Sequence, residues 1–250
     1  MKSWLCIGLL LALRAGLAQE KTILAIGAHA ADMELTAGAI LAHQKLLGDR
    51  VVMLHLTLGE AGNPKMAPAQ YADQKRTEAT AAAKALGAEV LFGPYADALL
   101  PDDEKARLYV ADVIRQVKPA MIITHWKNSI HKDHRNTHAI VTDAVLLAGL
   151  EAVKTSHPAW RGTRAVYYAD NWEDAEGFSP YLSIDVSDAF DRWKEAVREY
   201  QMVRGGISSF AYFDYYTAHL QQLGALAGRK YAAGLNVDES AKRRVLDSLR

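Results

Sequence analysis

Two short stretches about a hundred residues apart hold the side chains best suited to chemistry: Gly27-Ala28-His29-Ala30-Ala31-Asp32-Met33-Glu34 and His131-Lys132-Asp133-His134. Together they offer two imidazoles and one carboxylate to a single divalent ion. Three protein ligands leave a coordination position open for water, the arrangement of a catalytic rather than a structural zinc site. Iron(II) accepts the same nitrogen and oxygen donors, so Zn2+ is the expected ion and Fe2+ the alternative. His138 lies one helical turn beyond His134 and shares its face. As a fourth ligand it would close the open position, so it is expected beside the ligands instead.

Groups so distant in sequence meet only where a fold gathers strand ends. Apolar runs at 22–27, 51–57, 89–92, 120–125, 164–169 and 182–186 read as strands. Between them, 32–47, 70–86, 103–117 and 136–153 carry helical apolar spacing, with Gly48 and Gly87 as stops. Residues 188–200 read as a further helix, and the aromatic-rich 208–226 as a segment packing back on the body. Alternation of this kind implies an α/β class: a single-domain, Rossmann-like, largely parallel sheet flanked by helices. Ligands in such folds bind beyond the carboxyl ends of the strands, where both histidine stretches fall.

Lysine plus arginine equals aspartate plus glutamate, 29 against 29, so no basic surplus points to nucleic acid. Residues 1–18 have the positive start, apolar stretch and small-residue end of a signal peptide, leaving 19–250 as the mature domain. The expected location is therefore secreted or periplasmic, with no stable membrane insertion of the mature chain. The one cysteine, Cys6, lies inside that leader, which excludes a cysteine nucleophile from the mature protein. A Gly-x-Ser-x-Gly elbow is missing, and GAHAAD lacks the glycine spacing of a dinucleotide turn.

The two histidine stretches resemble those of the PIG-L (LmbE-like) zinc-dependent N-deacetylases, which carry Ala-His-Pro/Ala-Asp-Asp after the first strand and His-Pro-Asp-His later. Weaker echoes are Lys75-Arg76-Thr77-Glu78, Asp185-Val186-Ser187-Asp188 with Lys194, and Gly228-Arg229-Lys230-Tyr231-Ala232. The resemblance implies an LmbE-like fold and removal of an acetyl group from an N-acetylglucosamine-type sugar or glycoconjugate. It implies His29, Asp32 and His134 as metal ligands. His131 would be an unliganded imidazole near the leaving group or oxyanion, with Asp133 orienting it or supporting the ligands. Lys75 or Arg76 would fall where the family has a substrate-contacting arginine. Trp126, at the end of the strand before the second stretch, offers an apolar wall for a sugar ring.

One position departs from the pattern. The first aspartate of the family's pair, placed to take a proton from water, is Ala31 here. General base catalysis typically contributes ~10²–10⁴-fold, so impaired hydrolysis is expected unless Asp133, Glu34 or Glu60 takes its place. The alternative is a catalytically inactive zinc- and sugar-binding protein of the same fold.

Overall fold

The computed structural model describes residues 20–243; the proposed leader, 1–18, lies outside them. Strand β1 (Thr22–Gly27) alternates so cleanly that both of its faces are core. Ile23 and Ala25 pack into one hydrophobic layer, Leu24 and Ile26 into the other, and none exceeds 2% exposure. A strand buried on both faces belongs at the centre of a sheet covered by helices on each side.

β1 pairs in parallel with β2 (Arg50–His55) and β4 (Met121–Thr124). β3 (Glu89–Phe92) extends one side and β5 (Ala165–Ala169) the other, both parallel. β7 (Ala232–Asn236) then runs antiparallel to β5 and to β6 (Leu182–Asp185), giving the order β3-β2-β1-β4-β5-β7-β6. The result is a single-domain α/β fold with a mostly parallel mixed sheet. The Ala-Ala-Gly-Leu-Asn composition of β7 has little strand preference, which is why it gave no signal in the sequence.

One layer contains α1 (Asp32–Thr36), α2 (Gly38–Leu46), α3 (Pro68–Leu86), α6 (Phe190–Val197) and α8 (Tyr212–Leu226), with the short α7 (Gln201–Arg204) beside α8. The opposite layer is α4 (Glu104–Val117) against α5 (Lys132–Gly149). Among the described residues no helix is long and apolar enough to cross a membrane.

Two helices differ from expectation. The single helix expected at 32–47 breaks at Ala37, because the Glu34 carbonyl, the partner due to Gly38 N–H in a continuous helix, accepts from Trp193 Nε1 at 2.9 Å. Gly38 permits that approach: a Cβ there would lie 3.0 Å from Trp193 Cδ1. The helix expected from 136 starts four residues earlier, since His131 caps it by accepting from Asp133 N–H at 3.2 Å. His134 thus projects from a first helical turn rather than from a loop.

Candidate metal centre and active site

The carboxyl ends of β1, β3, β4 and β5 converge on one cluster. β1 delivers His29 and Asp32, the segment after β3 delivers Asp97, and β4 ends in His125 before the loop to His131 and His134. β5 leads into a short 3-10 turn, Trp172–Asp174, whose cap Asn171 accepts from Glu173 N–H at 3.1 Å and from the Tyr216 hydroxyl at 3.2 Å. A backbone bond from Ile130 N–H to the Glu173 carbonyl, 3.0 Å, ties this turn to the loop after β4.

Three atoms form a triangle at the centre. His29 Nδ1 lies 3.2 Å from Asp32 Oδ2 and 3.3 Å from His134 Nε2, and the latter two are 3.5 Å apart. Ligands at 2.0–2.2 Å from a tetrahedral zinc ion stand roughly 3.3–3.6 Å from one another. The outer nitrogens fix the tautomers. His134 Nδ1 meets Asp174 Oδ1 at 2.8 Å, and His29 Nε2 meets Asp97 Oδ1 at 3.1 Å. With His134 Nδ1 donating to Asp174 and His29 Nε2 facing the Asp97 carboxylate, the two inner nitrogens and a carboxylate oxygen point at one spot. That repels unless a cation sits there, so the donor set fits a divalent metal held by His29, Asp32 and His134.

Without a metal ion, a proton on His29 takes the place of that cation. Burial opposes charge on His29, yet Asp32, Asp133 and Asp97 hold its pKa well above the usual value. Burial likewise opposes ionisation of Asp32, but His134 and His29 keep it well below the carboxylate range. His134 itself is pushed down to about 4 by burial and by His125, which leaves Nε2 unprotonated and free to ligate.

Asp174 is fully buried and accepts twice, from His134 and from His125 Nδ1 at 2.9 Å. Such an outer carboxylate sets the ring orientation and basicity of a metal-bound histidine. His125 Nε2 lies 3.0 Å from the Ala28 amide, from which it accepts, and 3.1 Å from Asp32 Oδ2. His138 hydrogen-bonds the His125 carbonyl through Nδ1 at 3.0 Å and so supports that strand end.

His131 lines the cavity beside the triangle. Its Nδ1 is occupied by Asp133 N–H, and burial and His29 lower its pKa, so the neutral ring presents Nε2–H, a hydrogen-bond donor. Asp133 does not orient His131 through its carboxylate. Oδ2 faces His29 Nε2 at 3.6 Å, so its place is behind the ligand.

Ala31 adopts φ 95°, a left-handed conformation that aspartate tolerates better than alanine. The loop holds it there through Leu35 N–H to the Ala31 carbonyl, 2.9 Å, and Lys75 Nζ to the Ala30 carbonyl, 2.6 Å. Only a methyl group reaches the cavity at this point. Neither Asp133, Glu34 nor Glu60 lines that cavity in its stead. Glu34 binds Tyr200 at 2.6 Å inside the core, and Glu60 accepts from Asp97 N–H at 2.9 Å.

Glu173 does line it, with Oε2 3.7 Å from His134 Nε2. Burial, reinforced by Asp32 and Asp174, raises its pKa to about 7. Sequence reading passed over Glu173, Asp174 and Asp97. The first two were open to the same argument that found His29, since Asn171-Trp172-Glu173-Asp174 follows a strand at its carboxyl end.

The cavity is about 210 Å³, and Lys75, Tyr71, Trp172, Tyr212 and Tyr216 complete its wall. Arg76 lies elsewhere: it is exposed, with its guanidinium 4.4 Å from the Phe92 ring centre, because one helical step separates it from Lys75. Trp126 is likewise removed from the cavity. It is buried against Tyr168 and Phe178 and donates to the Glu176 carbonyl at 3.0 Å.

Comparison with known proteins agrees with this architecture. The chain is 25% identical over 218 residues to 4-oxalmesaconate hydratase of Pseudomonas putida, covering 84% of this chain and 82% of that protein. It is 30% identical over 155 residues to the 1D-myo-inositol 2-acetamido-2-deoxy-alpha-D-glucopyranoside deacetylase of Acidothermus cellulolyticus, over 50% of this chain and 53% of the relative. The crystal structure of 4-carboxy-2-hydroxymuconate hydratase from Pseudomonas putida superposes with a TM-score of 0.81 at 25% identity, over 92% of this chain and all of that one. Residues 24–145, which include most of β1, all of β2 to β4 and the triangle's His29, Asp32 and His134, match the family model for PIG-L, the GlcNAc-PI de-N-acetylases.

Proposed function

We propose that this protein is a metal-dependent hydrolase of the N-deacetylase type in which Glu173 handles the proton that the family's aspartate handles elsewhere. One observation carries the reading. Ala31 presents a methyl group to the cavity, whereas Glu173 presents a carboxyl there whose pKa, about 7, suits a general base. The metal, Zn2+ by its donor set with Fe2+ as the alternative, would polarise the acyl carbonyl and acidify water when bound.

Glu173 takes a proton as the water oxygen adds to the amide carbon. His131 Nε2–H faces the oxygen on which charge develops, and stabilises it. The C–N bond then breaks, the amine nitrogen receives the proton from Glu173, and acetate and free amine leave. An N-acetylated amino sugar or glycoconjugate is the proposed substrate class, supported by the acetamido-sugar named for the Acidothermus relative.

A second reading, addition of water to a carbon–carbon double bond, is favoured by Ala31 together with the full-length likeness to the Pseudomonas hydratases. The test is acetate release from N-acetylglucosamine derivatives by the zinc-loaded protein, its Glu173→Gln variant and its Ala31→Asp variant. We expect turnover by the parent and a loss of ~10²–10⁴-fold in Glu173→Gln. Equal rates in parent and Glu173→Gln would refute the role of Glu173. An inert parent alongside an active Ala31→Asp variant would instead mark a sugar-binding protein or a hydratase.

A further inference from the structure

We propose that the groove adjoining the metal cavity, between α7 and the start of α8, is a subsite for a second sugar ring. The substrate is then a glycoconjugate in which another ring is attached to the acetamido sugar. The proposal rests on the deacetylase reading of the metal cavity and deepens it by naming what that sugar carries.

Size is the first observation. Pockets that hold a whole small-molecule ligand usually measure about 300–1,000 Å³. The metal cavity, about 210 Å³, falls short of that range. A groove of about 580 Å³ adjoins it, and the two together fall inside the range. Met202 and Ser208 line both spaces, so a molecule reaching from one to the other passes along these two side chains.

The chain that follows α7 runs along the divide. Ile207 faces the metal cavity, while Ser209 and Phe210 face the groove. Phe210 stacks on Trp172, with ring centres 4.5 Å apart and planes within 18° of parallel. Trp172 lines the metal cavity together with Glu173, so aromatic surface continues from the reacting end into the groove. Such surface suits the apolar face of a sugar ring.

Charge decides what kind of group the groove accepts. Arg198, just past α6, and Asp214, in the first turn of α8, both line it. Both are exposed, and neither has an oppositely charged side chain within 4.0 Å among the described residues. The Arg198 guanidinium lies over the Phe213 ring, 4.3 Å from its centre, which leaves its N–H groups without a carboxylate. Arg204 is different, because it is tied to the Arg198 and Glu199 carbonyls.

The groove thus offers guanidinium donors and a carboxylate acceptor in one space. A neutral ring bearing hydroxyls uses both, accepting from Arg198 and donating to Asp214. An anionic group would be repelled by Asp214 and a cationic one by Arg198. A hydrocarbon chain would strip water from both charges without replacing it. Gly205, Ser209 and Ala211 at the groove are exposed, so a longer conjugate can continue into solvent.

The test compares the methyl glycoside of N-acetylglucosamine with N,N′-diacetylchitobiose as ligands of the zinc-loaded protein by calorimetry. It is done in the Glu173→Gln background, so that slow turnover does not blur binding. The disaccharide should bind roughly 10- to 100-fold more tightly, the worth of a hydrogen bond to a charged group. Two independent changes should erase that gain: Ser209→Trp, which fills the groove, and the pair Arg198→Ala with Asp214→Ala, which empties it of charge. None of these residues lines the metal cavity, so the affinity for the monosaccharide should stay the same. Thermal unfolding checks that each variant is folded, and either variant suffices if the other is not.

Equal affinity for the two sugars overturns the proposal. So does a gain that survives in a folded groove variant, which would place the second ring elsewhere. Binding of the monosaccharide without a gain refutes the subsite alone and leaves the deacetylase reading standing. Failure of both sugars to bind refutes that reading and the subsite with it.

Discussion

Asp174 accepts from His134 on one oxygen and from His125 on the other, at 2.8 and 2.9 Å, with no exposure to solvent. An asparagine there keeps the shape but offers one acceptor and one donor, so one of the two rings must turn or lose its partner. We expect Asp174→Asn to weaken zinc binding ~10–100-fold, read by competition with a chelator, while the far-ultraviolet circular dichroism stays unchanged. Glu173 makes a prediction in pH. Only its ionised form accepts a proton, so kcat/KM should fall as pH drops through about 7, or somewhat lower once a cation is bound nearby. Glu173→Gln should lack that acidic limb. Neither residue stands near the histidine stretches in sequence. Their partnership with residues 40 positions earlier exists only in three dimensions.

At the scale of elements, α8 lines one side of the cavity and packs against the approach to the strand that follows it. Gly224 lets this happen: a Cβ there would lie 2.8 Å from the Lys230 oxygen and 2.8 Å from Tyr231 Cα, both on the approach to β7. Gly224→Ala must push α8 away from that backbone, and α8 carries Tyr212 and Tyr216 on the cavity wall. Overpacking of this kind costs about 1–3 kcal/mol. The expected outcome is a lowered Tm together with a raised KM, since the displaced tyrosines line the cavity in which the proposed substrate would sit. An unchanged KM in a folded variant would show that α8 plays no part in binding.

The parallel half of the sheet was legible because its strands are continuous apolar runs and its helices end at Gly48 and Gly87. β7 was not, since Ala-Ala-Gly-Leu-Asn is a strand only by virtue of its neighbours β5 and β6. The break at Ala37 was equally hidden, being imposed by Trp193 from far along the chain. Position 31 was readable as a missing carboxylate, but what faces the gap, Lys75 on α3 and Glu173 after β5, depended on the packing of both elements against β1.

For the whole molecule, the cluster acts as a fastener among strand ends. The three residues of the triangle come from the end of β1 and the first turn of α5. The groups behind them come from β3 through Asp97, from β4 through His125, and from β5 through Asp174. Asp32, Asp97, Asp133 and Asp174 thus crowd a few imidazoles, and Glu173 adds a fifth carboxyl whose pKa is raised by burial and, after that, by repulsion from Asp32 and Asp174.

A divalent cation relieves that repulsion in the folded state alone, because the unfolded chain has no such convergence. Binding to the native state should therefore stabilise the entire domain by about 2.7 kcal/mol at a free zinc concentration of 100 Kd. For a chain of this length that corresponds to roughly 5–10 °C in Tm. Calorimetry with zinc and then with excess chelator measures the shift. Asp32→Asn, which removes the only carboxylate of the triangle, should abolish most of it and also lower the metal-free Tm, because Oδ2 accepts from His29 N–H at 2.7 Å and its lowered pKa means that the carboxylate stabilises the folded chain. A metal-independent Tm in the parent would mean that the convergence is held by hydrogen bonds alone, and the triangle would lose its standing as a metal centre.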